Sequence, residues 1–186
     1  IKLVEQNEAK GAEKERYDEL AGRNAVTNMK KGLLNDAATY DAYMAWYTSW
    51  NRLVEVIGEK DAILYAHAIS TTNSCRLCSL FFISDLKELG LDPNKLELEE
   101  NEQLLEQLLT DLGEAIVKDP TSVSDELFEK LRKFFNDQEL VVIVGFAGQM
   151  IATNNFNSVF HIDVDKRLLP IVDEFKPATW RDGIKK

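Results

Sequence analysis

Glu59-Lys-Asp-Ala-Ile63-Leu-Tyr-Ala-His67-Ala-Ile-Ser-Thr-Thr-Asn73-Ser-Cys75-Arg-Leu-Cys78-Ser-Leu-Phe-Phe82-Ile-Ser-Asp-Leu-Lys-Glu-Leu-Gly90 is the stretch that decides the fold. Two apolar segments of helical length meet at the polar pair Asn73-Ser74, and Gly58 and Gly90 punctuate the outer ends. The pattern predicts a helical hairpin, with one helix from Glu59 to Thr71 and a second from Cys75 to Leu89. With Asn73 or Ser74 as N-cap, Cys75 falls in the first turn of the second helix.

Helical spacing continues in both directions. Upstream, Asn35-Asp36 can cap a helix to Ile57, whose Tyr40, Tyr43, Met44, Tyr47, Trp50, Val54 and Ile57 recur at three and four residues. Downstream, Leu91-Asp92-Pro93-Asn94 reads as a loop. A helix carrying Leu104, Leu105, Leu108, Leu109, Leu112 and Ile116 is stopped by Lys118-Asp119-Pro120. Ser124 caps a short helix reaching Phe135, and Asn136-Asp137 starts a long one from Gln138 to Asn157. Phe160–Val164 alternates but is too short for a convincing strand. The tail from Val164 is apolar enough to pack, though Pro170 and Pro177 limit any helix there. The fold class is therefore all-α, six to eight helices with short connections. Residues 1–30 read as an N-terminal arm or surface helix and 31–186 as a single all-α domain.

Composition narrows the function. Of 186 residues, 22 are Lys or Arg and 32 are Asp or Glu, for a net charge of -10. Such a surface repels phosphate backbones and anionic lipid, so neither nucleic acid nor membrane is an expected partner. No apolar run reaches bilayer length and no secretory segment opens the chain. No glycine-rich phosphate loop occurs, and no cofactor is expected. The only two cysteines lie in one Cys-x-x-Cys, which suits a redox-active cytoplasmic protein rather than a disulfide-framed secreted one.

On a helix, residues three apart share a face, so Cys75 and Cys78 can close a disulfide. A helix N-terminus favours a thiolate, and Arg76 adds positive charge. Two blander readings compete. Zinc needs four ligands, and only His67 and His161 are left to join the thiolates, so no metal is expected. The pair can also be inert core cysteines. His67 lies on the preceding helix and can face the thiols as a proton carrier, or be a core histidine bonded to backbone. Asn154, Asn155 and Asn157 can reach a site or simply end a helix. Glu97, Glu99, Glu100 and Glu102 can hold a cation or form a solvated helix start. Ile69–Asn73 echoes Ile151–Asn155, a likeness five residues cannot raise above coincidence.

Asn73-Ser-Cys-Arg-Leu-Cys78, followed by an apolar helix, resembles the active segment of the alkylhydroperoxidase D-like and carboxymuconolactone decarboxylase-like family. The resemblance continues through Leu89-Gly-Leu-Asp-Pro93, Asp119–Asp125 and Leu140–Phe146 to Asn154–Asn157 and Ile162-Asp163, covering residues 36–166. It implies an all-α fold, homo-oligomers, and reduction of a peroxide or disulfide through Cys75 and Cys78 with an external thiol reductant. The family's relay histidine, four residues after the second cysteine, is Phe82 here, and its glutamate, twelve before the first, is Ile63. His67, one turn after Ile63, is the expected substitute. Two other functions stay open: a decarboxylase-type lyase on a small organic acid, using a basic pocket near Arg76, and a non-catalytic helical oligomer.

Overall fold

The computed structural model describes residues 1–91 and 100–182, so positions 92–94 of the expected loop and Glu97 and Glu99 lie outside the described residues. The helices are α1 (Gly11–Gly22), α2 (Asn28–Leu33), α3 (Ala37–Met44), α4 (Trp46–Ile57), α5 (Glu59–Thr72), α6 (Arg76–Glu88), α7 (Glu100–Lys118), α8 (Asp125–Leu131) and α9 (Asp137–Val159). Short 3₁₀ segments occur at Pro120–Ser122, Lys166–Glu174 and Thr179–Arg181, and there is no strand among the described residues. Nor is any described helix long and apolar enough to cross a membrane.

α5 is apolar on nearly every side and is accordingly surrounded. Ala62, Ile63, Leu64, Tyr65, Ala66 and Ile69 are all buried, and α5 packs against α4, α6, α7 and α9. Its approach to α7 is close enough that a side chain at Gly113 would crowd it. A Cβ at Gly113 would stand 3.0 Å from Ile69 Cγ1 and 3.1 Å from the Tyr65 ring. α6 is shared between two layers. Cys75 at its N-cap, then Cys78, Phe82 and Leu86, face the main core, while Leu77, Leu80 and Ile83 pack under the tail with Ile162 and Leu168.

The expected helix from Asn35-Asp36 to Ile57 is two helices. Asp36 does cap, accepting Thr39 N–H. At Ala45 the ladder tightens, its carbonyl receiving both Thr48 and Ser49 N–H, and the axis restarts. The two halves serve different cores. Tyr40 is buried with Tyr17, Leu20, Leu33 and Leu34 in an N-terminal cluster, whereas Leu53 and Ile57 join the main one. Residues 1–30 are held into this cluster: Val4 N–H reaches Lys31 O, and Asn28 N–H reaches Asp165.

Further along, Ser124 and Asn136 cap as expected, Asn136 through a full capping box with Glu139. α8 stops at Leu131, short of Phe135, and α9 runs past Asn157 to Val159. Its end is the turn in which His161 takes φ 51°.

Candidate functional site

The turn between α5 and α6 builds the site, and it is not capped as its sequence suggests. Ser74 takes the left-handed φ of 58°, and its hydroxyl accepts the Ala178 N–H from the tail. The Asn73 side chain is also engaged: its amide donates to Asn155 Oδ1 and its oxygen accepts from Arg181. The N-cap therefore falls to Cys75, whose sulfur accepts the Cys78 N–H at 3.4 Å. Cys75 caps the helix rather than lying in its first turn. That role places the sulfur at the positive end of the helix dipole.

The two sulfurs are 2.6 Å apart, within hydrogen-bond distance of each other. Both cysteines are reduced and buried. Their environments differ in sign. The Cys78 S–H, then the Cys78 N–H and the amides of Asn157 and Asn154, hold the Cys75 thiol below its ordinary value against the cost of burial. Cys78 is pushed well above, first by burial and then by the neighbouring Cys75. The charge of a singly ionised pair thus rests on Cys75. Arg76 is exposed, and the shift on Cys75 has no contribution from it.

Cys78, not Cys75, lines a cleft of about 1460 Å³. Around it are Ile63, Phe82, Trp46, Trp50 and Met150. Ile63 and Phe82, the positions where the resemblance implies a glutamate and a histidine, thus line this cleft with apolar side chains. The Trp46 indole N–H is buried without a partner. Farther along α6 the same cleft takes in Asp85, whose carboxyl is pushed up to about 6 by burial.

α9 supplies the polar side of the site. Asn157 Nδ2 donates to Cys78 Sγ at 3.2 Å, and Asn154 Nδ2 donates to Ser70 Oγ at 3.1 Å. Asn73 bonds Asn155 at 3.2 Å, so the two echoing segments meet. The asparagines had two sequence readings. The structure continues the helix through them and brings Asn157 onto the sulfur.

His67 is placed elsewhere. Its Nε2 lies 3.2 Å from Thr71 Oγ1, which lies 3.3 Å from Ser79 Oγ, and that chain ends one residue beyond Cys78. His67 lines a separate cavity of about 260 Å³ with Thr71, Glu106 and Glu114. Burial pushes its pKa down to about 4, so the ring is neutral at neutral pH. The structure brings Cys75 and Cys78 together, while the hydrogen-bond chain from His67 runs through Thr71 and ends at Ser79. His161 is exposed in the turn after α9. No three described His, Cys, Asp or Glu side chains cluster so as to hold a metal ion.

No protein-family model matches the chain, and no curated protein matches it. Among solved structures, the chain is similar to an uncharacterized peroxidase-related protein from Silicibacter sp. TM1040. The TM-score is 0.66 and the identity 17%, over 85% of this chain and 87% of that one. At that identity the likeness concerns the fold.

Proposed function

We propose that this protein is a thiol-dependent oxidoreductase that reduces a peroxide or disulfide through Cys75 and Cys78. The observation that carries the reading is the asymmetry of the pair: the charge is stabilised on Cys75, while Cys78 faces the cleft. The peroxidase-related description of a protein with a similar fold is in keeping with it. A single step uses both features. As Cys78 sulfur attacks the distal peroxide oxygen, its proton passes to Cys75, 2.6 Å away. The O–O bond breaks, the alkoxide leaves and takes that proton, and Cys78 carries a sulfenic acid. The Cys75 thiolate then attacks Cys78 sulfur, hydroxide leaves, and the disulfide forms. An external thiol reductant returns the dithiol, which suits the cytoplasm. Cys75 thus serves as base and resolving thiol, in a site whose relay positions are Ile63 and Phe82. His67, neutral and tied to Thr71, is a positioning residue for the α5–α6 turn.

The decarboxylase-type alternative asks for a basic pocket at Arg76, and Arg76 does not line the cleft. The partners of the proposal are a small peroxide or disulfide, the reductant, and further copies of the chain. Support for the last is an exposed strip on α9 with Val141 71% and Val144 39% exposed.

The test is a thiol titration across pH, before and after hydrogen peroxide. Two thiols, one with a lowered pKa, should disappear together on oxidation and return with dithiothreitol. Thiols that react only after denaturation would sink the mechanism. So would turnover of an organic acid by the Cys75→Ser/Cys78→Ser variant, which would favour the lyase.

A further inference from the structure

Asn157 sits near the end of α9 with 5% of its surface exposed. Its Nδ2 donates to two sulfurs, Cys78 Sγ at 3.2 Å and Met29 Sδ at 3.4 Å. Its Oδ1 is buried and pairs with no protein group. A thioether has no hydrogen to give, so a carboxamide facing Met29 must present its NH₂. Met29 thereby fixes which end of the amide meets Cys78.

We propose that Asn157 is a catalytic residue of the dithiol, a pre-set donor that stabilises charge and then oxygen on Cys78 during oxidation. The proposal rests on the redox reading above. In the reduced site the two sulfurs are in hydrogen-bond contact, and a Cys78 lone pair accepts from Asn157. As the proton leaves for Cys75, negative charge grows on a sulfur whose burial opposes it. A hydrogen bond to a charged acceptor is about twice as strong as to a neutral one, so this contact strengthens on the way to the transition state. Interactions of that kind accelerate a reaction, whereas equal binding of ground and transition states does not. The donor is already oriented, so no reorganisation is needed.

The unpaired Oδ1 is the second, independent sign. A buried acceptor without a partner is costly, and such groups call for an explanation. The sulfenic acid formed in the proposed reaction carries an O–H on the sulfur that this same carboxamide contacts. Oxidation thus creates a donor beside an acceptor that lacks one. Asn157 has no proton to exchange near neutral pH. Its role is electrostatic, and the pH profile of oxidation should follow the dithiol alone.

The experiment compares the parent with Asn157→Ala, the near-isosteric Asn157→Asp and the volume-conserving Met29→Leu, each as the full chain. The rate of disulfide formation with hydrogen peroxide is measured across pH. The lifetime of the sulfenic acid is followed by dimedone trapping in a Cys75→Ser background. Loss of the donor should slow oxidation about ten- to a hundredfold and shorten the sulfenic lifetime. Asn157→Asp should recover toward low pH, where its protonated carboxyl can donate. Met29→Leu keeps the packing and the amide but loses the orienting sulfur, so it should slow oxidation severalfold even if the Asn157 variants do not fold. Parental rates and lifetimes in the folded variants would overturn the role of Asn157 while leaving the dithiol mechanism standing. A parent that neither hydrogen peroxide nor cumene hydroperoxide oxidises would overturn both.

Discussion

Trp50 is stacked on Phe82, ring centroids 6.1 Å apart and planes at 28°, and Trp46 is stacked on Trp50 at 5.2 Å. This aromatic wall, with Ile63, borders the cleft, and Ile63 and Phe82 are the two positions where the resemblance implies ionisable residues. Burial is the first cause that makes Cys78 hard to ionise, and the proposed mechanism takes Cys75 as its base. Installing the missing groups should relieve that restriction. Ile63→Glu/Phe82→His is expected to raise the rate constant with hydrogen peroxide by about a hundredfold, a typical yield of general acid–base catalysis. Losing the Phe82 ring from the stack should lower stability by about 3 kcal/mol. Rapid-mixing oxidation kinetics and a denaturant melt read both. An unchanged rate in a folded variant would show that proton transfer is not what limits the native site.

His67 makes the fold acid-sensitive in a defined window. Its ordinary pKa of 6.5 falls to about 4 in the folded chain because burial disfavours the imidazolium. Between these values the unfolded chain binds a proton that the folded one refuses, so stability falls as pH drops through the window and stays lost below it. At about 1.4 kcal/mol per pH unit the loss is on the order of 3 kcal/mol. Asp85, raised from 3.8 to about 6, acts in the opposite direction, favouring the fold as pH falls. The two are separated by difference: His67→Gln should lose less stability than the parent between pH 7 and 4, with urea midpoints as the readout. Parallel pH profiles would contradict the burial of a neutral ring.

The hairpin of α5 and α6 was legible because apolar periodicity and the Gly58 and Gly90 stops are local signals. Its cap was not. Asn73 and Ser74 are the better capping residues by type, but their side chains are taken by Asn155, Arg181 and Ala178, partners more than 80 positions away. With those groups engaged, the Cys75 sulfur is left to cap the helix. The break at Ala45 was hidden for a similar reason. Tyr40 to Ile57 is one apolar stripe in sequence, and only the presence of two separate clusters splits it. Cys75 and Cys78 stand out as candidates from spacing alone, and the fold sets their sulfurs side by side. Asn157 could not be preferred over Asn154 or Asn155 until the pitch of α9 placed its amide on sulfur.

The tail is bonded to the turn that precedes Cys75. Trp180 Nε1 donates to Thr72 O at 3.1 Å, Arg181 to Asn73 Oδ1 at 2.8 Å and Ala178 N–H to Ser74 Oγ at 3.1 Å. These bonds hold three consecutive residues immediately before the dithiol, among them Ser74 in its left-handed conformation. Trp180→Ala/Arg181→Ala removes two of them, costing about 1 kcal/mol for each in stability. The freed turn should raise alkylation of Cys75 by iodoacetamide about tenfold, since local opening follows local stability. Peptide mapping of the labelled thiol gives the answer. A lowered melting point with unchanged labelling would mean that the tail stabilises the fold without gating the site.

Gly145 and Gly148 lie on the exposed side of α9 beside Val141 and Val144, and a Cβ at either glycine would meet nothing within 4 Å. Packing within the chain does not explain them, yet each costs about 1 kcal/mol relative to alanine in a helix. Small residues let two backbones approach closely, which gives the strip a use if α9 meets another copy of itself. Gly145→Ala/Gly148→Ala should then raise the stability of the isolated chain by about 1–2 kcal/mol while weakening self-association. Val141→Arg should abolish association outright by placing a charge in the contact. Light scattering over a concentration series measures the first effect against the second. A parent that remains monomeric throughout, or an oligomer indifferent to all three substitutions, would remove α9 from the interface.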